Sequence, residues 1–142
     1  MAFGTAYKAG QTLRFTYNSE NVRDRFKEVF VLQPNFQGKM HAIDLKRLTE
    51  AERRTLYTVM DPKQYGKRNR IPLVNDIFLR MNPSEEIKNP LGFYVKFVKP
   101  FLRYTDAYRT YYPMKMASVQ VVRQTELTDK AAQNSKPLFK KL

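Results

Sequence analysis

The chain has 142 residues, 42% of them hydrophobic, with 26 Lys plus Arg against 13 Asp plus Glu and a formal net charge of +13. Length and apolar content suit one domain with its own core. The absence of cysteine excludes disulfides and thiolate metal sites, and no apolar run reaches the roughly 18 residues of a membrane span. So large a cationic excess points to a polyanionic partner, whether nucleic acid, an anionic membrane or an acidic protein face; nucleic acid or other proteins are the partners expected, and no membrane.

Positions 1–9 carry little pattern and read as an N-terminal arm, without the long apolar segment of a secretory signal. From Gly10 the pattern sharpens. Leu13, Phe15 and Tyr17 alternate with Thr12, Arg14 and Thr16, the period of a half-buried strand. A loop at 18–21 and a polar stretch at 23–27 lead to a second strand at 28–33 (EVFVLQ), apolar enough for burial on both faces. Positions 34–38 (PNFQG) have turn chemistry, with Gly38 able to take a positive φ. Positions 39–45 alternate again, Met40, Ala42 and Asp44 facing one way and His41, Ile43 and Leu45 the other. Strands two and three therefore read as a hairpin with a loop of about five residues.

Thr49 and Glu52 carry the capping-box signature. They open a helix to Met60 with Leu56, Val59 and Met60 inward and Arg53 and Arg54 outward; Asp61-Pro62 stops it. Pro72 opens a second helix over 73–81, with Val74, Ile77, Phe78 and Met81 inward. Asn89 caps a third helix and Pro90 begins it. Phe93, Phe97, Phe101 and Tyr104 share one of its faces and Lys96, Lys99 and Arg103 another, and Pro100 must kink or divide it. An aromatic turn at 108–113 precedes a short β-prone run at 117–122. The polar and basic remainder, 124–142, reads as a tail, mobile or ordered by a partner. Strands, then helices, then a late strand predict a single α+β domain over 10–123. Its architecture would be a small curved antiparallel sheet or open barrel, with helices inserted before the last strand.

Several short motifs recur in a suggestive order: 24–26 (DRF) ahead of the second strand, 38–48 (GKMHAIDLKRL) after the PNF turn, Asn89-Pro90, Lys99-Pro100 and 108–111 (YRTY). Over 10–122 the chain resembles a group of small basic proteins encoded by large tailed bacteriophages, some labelled DNA-end or virion proteins. Those proteins usually carry more proline and a longer turn where this chain has LQPNFQGK. The resemblance implies a phage protein that handles DNA or builds a particle, located in the host cytoplasm during infection or in the virion. It supplies no active-site residues.

The residues themselves offer no catalytic constellation. His41 is the only histidine, and without cysteine a zinc site lacks its usual ligands. Asp44, Asp61, Asp76 and Asp106 are scattered at spacings that match no carboxylate site, and Glu85-Glu86 suits a helix start. Neither a phosphate-binding glycine loop nor a nucleophile elbow occurs. No enzymatic activity, metal or cofactor is expected.

The remaining signal is cationic. Positions 63–70 (KQYGKRNR) hold Lys63, Lys67, Arg68 and Arg70 with no acid between them, a pattern suited to phosphates. Tyr65 among them could stack on a base. Lys96, Lys99 and Arg103 would form a second stripe, continued by Arg109 and Lys115. The plain alternatives are a solvated loop and the polar side of a core helix. Tyr104, Tyr108, Tyr111 and Tyr112 read as packing rather than base-stacking residues. The expectation is a non-enzymatic DNA-contacting phage protein with little sequence choice, using Lys63, Lys67, Arg68, Arg70, Lys96, Lys99 and Arg103. The rival is a structural virion subunit of the neck, connector or capsid, oligomeric, its arm and tail docked on other phage proteins. An RNA- or ribosome-associated factor is a third reading.

Overall fold

Alternation along the strands gives the sheet two apolar faces, and the fold follows from how each is covered. The computed structural model describes residues 7–18, 25–64, 67–80, 89–102 and 105–128. Strands β1 (Gln11–Tyr17), β2 (Phe26–Phe36), β3 (Lys39–Asp44), β4 (Tyr108–Tyr111) and β5 (Met116–Gln124) form one antiparallel sheet in the order β4-β3-β2-β1-β5. Between β3 and β4 lie α1 (Glu50–Val59), α2 (Pro72–Leu79) and α3 (Pro90–Phe93). The α+β class, with an open curved sheet and helices before the late strand, matches the sequence expectation.

The sheet's two ends, β4 and β5, are joined through only 112–115. A flat sheet would hold β1 and β4 three strand spacings apart, roughly 14 Å. Yet Tyr17 and Phe15 meet the Tyr111 ring edge-on at 5.2 and 5.4 Å. Tyr112 N–H also donates to the Tyr17 hydroxyl at 3.0 Å. The sheet is therefore curled towards a barrel and left open. Its concave side buries Leu13, Phe15, Val29, Val31, Met40, Ala42 and Tyr111. The convex side carries the helices, with Phe30, Leu32 and Ile43 packed against Leu56, Val59, Ile77, Tyr94 and Val98. As expected, Met40 and Ala42 face one core, and Ile43 and Leu45 the other.

Gly10 closes the start of β1 at φ +90°. A Cβ there would lie 2.8 Å from Thr125 Oγ1 and 2.9 Å from Thr128 N, so only glycine fits. Thr125 donates both its N–H and its hydroxyl to the Gly10 carbonyl, fastening the chain after β5 to β1. Leu127 is buried in the helix-side core.

Several sequence expectations need correction. β2 begins at Phe26 and runs through Pro34, so the hairpin loop is Gln37-Gly38 and not five residues. Both turn residues have positive φ, +56° and +76°, the tight two-residue geometry that follows a twisted strand pair. Pro34 is tolerated because the β2–β3 register slips on either side of Gln33, and at a bulge a missing N–H breaks no ladder bond. Positions 108–111 form a strand, not a turn: Tyr108 to Tyr111 pair with Ile43 to Met40, and Tyr, Thr and Arg there face a pleated surface. Arg53 does not simply face outward, since its Nε donates to the Leu45 carbonyl at 2.7 Å.

The helix starts follow the sequence. Thr49 and Glu52 form both bonds of the capping box. Asn89 accepts from Gly92 N–H, with Pro90 at the first helical position. The third helix is not regular beyond Phe93. Tyr94–Val98 is a π turn and Lys99–Phe101 a 3-10 turn. Pro100 explains the change, because it offers no N–H and collides with the carbonyl four residues back. The wider turn also drives Tyr94 and Val98 into the core beside Phe97. Tyr104 and Met81 lie outside the described residues, as do positions 1–6 and 129–142.

Candidate nucleic-acid interface

The loop before α2 is built by two asparagines. Asn75, in the first turns of α2, accepts from Asn69 N–H and donates to the Asn69 carbonyl, both at 2.7 Å. Asn69 in turn accepts from Ile71 N–H at 3.0 Å, which sets up Pro72 at the helix start. The backbone of one loop residue is thus clamped at both its N–H and its carbonyl. Arg68 and Arg70 flank it and are exposed, as is Lys67. Among the described residues, Lys67, Arg68 and Arg70 have no carboxylate partner. Along the chain, Asp61 before them and Asp76, exposed on α2, are the acids that bracket them.

Lys67 and Arg68 line an open groove of about 390 Å³ with Asn75, Phe78 and Leu79. Leu79 is 83% exposed at its edge. Arg80, which ends α2, lies over the Phe101 ring at 5.0 Å. That contact puts the end of α2 beside the 3-10 turn that begins with Lys99. α2 thus carries the loop at its start and meets the third helix's last turn at its end.

The other candidate residues are placed differently. Lys63 pairs with Glu126 at 2.8 Å, which raises its pKa, so this cation is held within the chain. Lys96 is exposed over the Phe97 ring at 5.0 Å. Lys99 is half-buried, with its ammonium 5.7 Å from the centre of Tyr108. The even stripe of a regular helix is interrupted between them by the passage from π to 3-10 turns. Arg103 and Tyr65 lie outside the described residues, as do Glu85 and Glu86. Arg109 and Lys115 are exposed on β4 and in the following turn. Tyr108 and Tyr111 pack into the two cores, and Tyr112 is partly exposed between Lys39 and Lys115.

Several acids elsewhere among the described residues are engaged. Glu28 holds Arg14, Asp44 and Asp106 hold Arg47, and Glu52 completes the cap of α1. Among the described residues, no three His, Asp or Glu side chains converge as a metal site would require, and no helix is long and apolar enough to cross a membrane. Sequence reasoning missed Asn75 and Arg80. The signal for Asn75 was faint, a second Asn six positions after the first across an Ile-Pro helix start. Arg80 was findable as a cation closing a short helix, a placement the helix dipole favours. Comparison with protein-family models, with curated proteins and with solved structures gave no match for this chain.

Proposed function

We propose that this is a non-enzymatic DNA-contacting protein, in keeping with its resemblance to tailed-phage proteins. It holds phosphates with little sequence choice through Lys67, Arg68 and Arg70 and, at the far end of α2, Arg80 and Lys99. The observation that carries the reading is the clamped loop, whose cations are exposed, lack carboxylate partners among the described residues and sit on a backbone fixed by Asn75. Cations so placed displace counterions from a phosphate chain, giving affinity that falls steeply with salt. Lys63 contributes only when released by Glu126.

The test is a salt series with mixed-sequence DNA. Replacing Lys67, Arg68 and Arg70 together by Gln is expected to reduce the log–log salt slope by about 2 to 3. Asn75→Ala removes the clamp and no charge; it is expected to weaken binding at every salt concentration while leaving the slope nearly unchanged. An unchanged slope in the triple variant would remove the loop from the interface.

A second reading, a structural virion subunit, draws on β5. This edge strand is exposed along Ala117 to Gln124, with Val119, Val121 and Val122 at its surface. An edge of that length can pair with a neighbouring chain. Mass spectrometry of purified particles tests it: the protein at a fixed copy number supports the subunit, and its absence rejects it.

A further inference from the structure

Among the described residues, the convex face of the sheet is covered at one end only. Thr12 and Phe30 are opposite each other on β1 and β2. Above them lies Tyr57 of α1, whose hydroxyl hydrogen-bonds Thr12 and whose ring meets Phe30 edge-on at 5.5 Å. The next pairs on the same face, Arg14 with Glu28 and Thr16 with Phe26, border an open groove of about 370 Å³. Phe26 is 60% exposed there. Gln120 of β5 and the Lys46 side chain complete the rim.

A single exposed apolar residue means little by itself. Phe26 is set apart by its company. The Arg25 guanidinium lies 5.7 Å from its ring centre. Lys46 Nζ donates to the Phe26 carbonyl at 2.5 Å, which brings that ammonium to the ring's base with two N–H donors to spare. Arg14 is 63% exposed; its Nε donates to Glu28 at 2.6 Å, leaving its terminal nitrogens free to reach outward. Arg25 therefore lies against the ring, with Arg14 and Lys46 lining the groove beside it, and Glu28, the one acid among the described lining residues, is already paired. An apolar ligand would leave the cations around the groove unused, and a duplex keeps its bases stacked away from any ring.

We propose that this end of the sheet binds a single-stranded polynucleotide, with an unpaired base stacked on Phe26 and adjacent phosphates held by Arg14, Arg25 and Lys46. Stacking platforms ringed by cations are the general solution for single strands, since every base has a π face. The proposal rests on the nucleic-acid reading above and adds a second surface and a strand preference to it.

The chain contains no tryptophan, so Phe26→Trp installs a lone fluorescent reporter that keeps an aromatic platform. It is to be titrated with oligo(dT), with oligo(U) and with a mixed-sequence DNA duplex, alongside Phe26→Ala by anisotropy. The expected result is quenching by one or both oligonucleotides and none by duplex at matched phosphate. Phe26→Ala should lose roughly 5- to 150-fold in single-strand affinity with duplex affinity unchanged. Stronger binding of oligo(dT) or of oligo(U) upholds the site and identifies its sugar. Undiminished single-strand binding by Phe26→Ala, or no quenching in Phe26→Trp, overturns the site. Duplex binding alone sinks this proposal and spares the basic loop; no binding to any of the three at low salt sinks both.

Discussion

Phe26 and Phe30 stand on one strand and one face, four residues apart, and meet opposite surroundings. Phe30 is fully buried beneath Tyr57 and shares a core with Leu56 and Val59 of α1. Phe26 lies open between Arg25 and Lys46. Nothing in the strand's period distinguishes them. The difference comes from where α1 ends its cover, and with it the role of the side chain changes from cohesion to recognition.

The largest effect should separate the two positions directly. Phe30→Ala opens a cavity in the helix-side core and is expected to cost about 3–5 kcal/mol. Phe26→Ala removes an exposed ring and should stay within about 0.5 kcal/mol. Urea unfolding of both variants reads the contrast. Equal losses would mean that Phe26 is a core residue after all, and the recognition role would fall with the contrast.

The sequence disclosed the covered half better than the bare half. Leu56, Val59 and Met60 on α1, Val74 and Ile77 on α2, and the alternation of Met40 to Leu45 were legible because helix and strand periods separate inner from outer positions. The caps at Thr49 and Asn89 were legible because each needs only local bonds. Phe26 was not, since 23–27 reads as polar loop, and pairing with Thr16 makes it strand. β4 was hidden likewise: Tyr108 to Tyr111 become a strand only because the curled sheet delivers β3 to them. In the basic loop, the cations were plain in the sequence. The clamp that aims them depends on a backbone reversal between Asn69 and Asn75 that composition does not encode.

A smaller effect concerns His41, on the helix side of β3. Its Nε2 donates to the Phe36 carbonyl at 3.2 Å, and in the neutral ring Nδ1 accepts from the Tyr108 hydroxyl at 2.6 Å. Burial lowers its pKa; the Phe36 carbonyl opposes this, and Lys39 adds to the lowering. The unfolded chain, with an ordinary value of about 6.5, then binds a proton at a pH where the folded chain does not. The neutral ring's stabilising contribution is complete above that value and declines as pH falls from it towards the folded pKa. Thermal melts over this window should show the wild type losing stability faster than His41→Gln as pH falls. Parallel curves would show that the ring titrates alike in both states.

The finest test sits in the bare half, where Arg14 and Glu28 are both solvent-facing, at 63% and 32% exposure. A pair so exposed contributes at most about 1 kcal/mol to stability, so Glu28→Gln should scarcely move the melting curve. Its effect on binding should have the opposite sign. Among the described residues Glu28 is the one negative charge bordering the Phe26 groove, and removing it frees Arg14 for a phosphate while ending one repulsion. A unit charge a few ångströms away is worth about 1 kcal/mol in water, so single-strand affinity should rise about 2- to 5-fold. A purely structural ion pair would give the reverse, a small loss of stability and unchanged or weaker binding. That sign distinguishes a surface shaped to receive phosphates from one that merely balances its own charges.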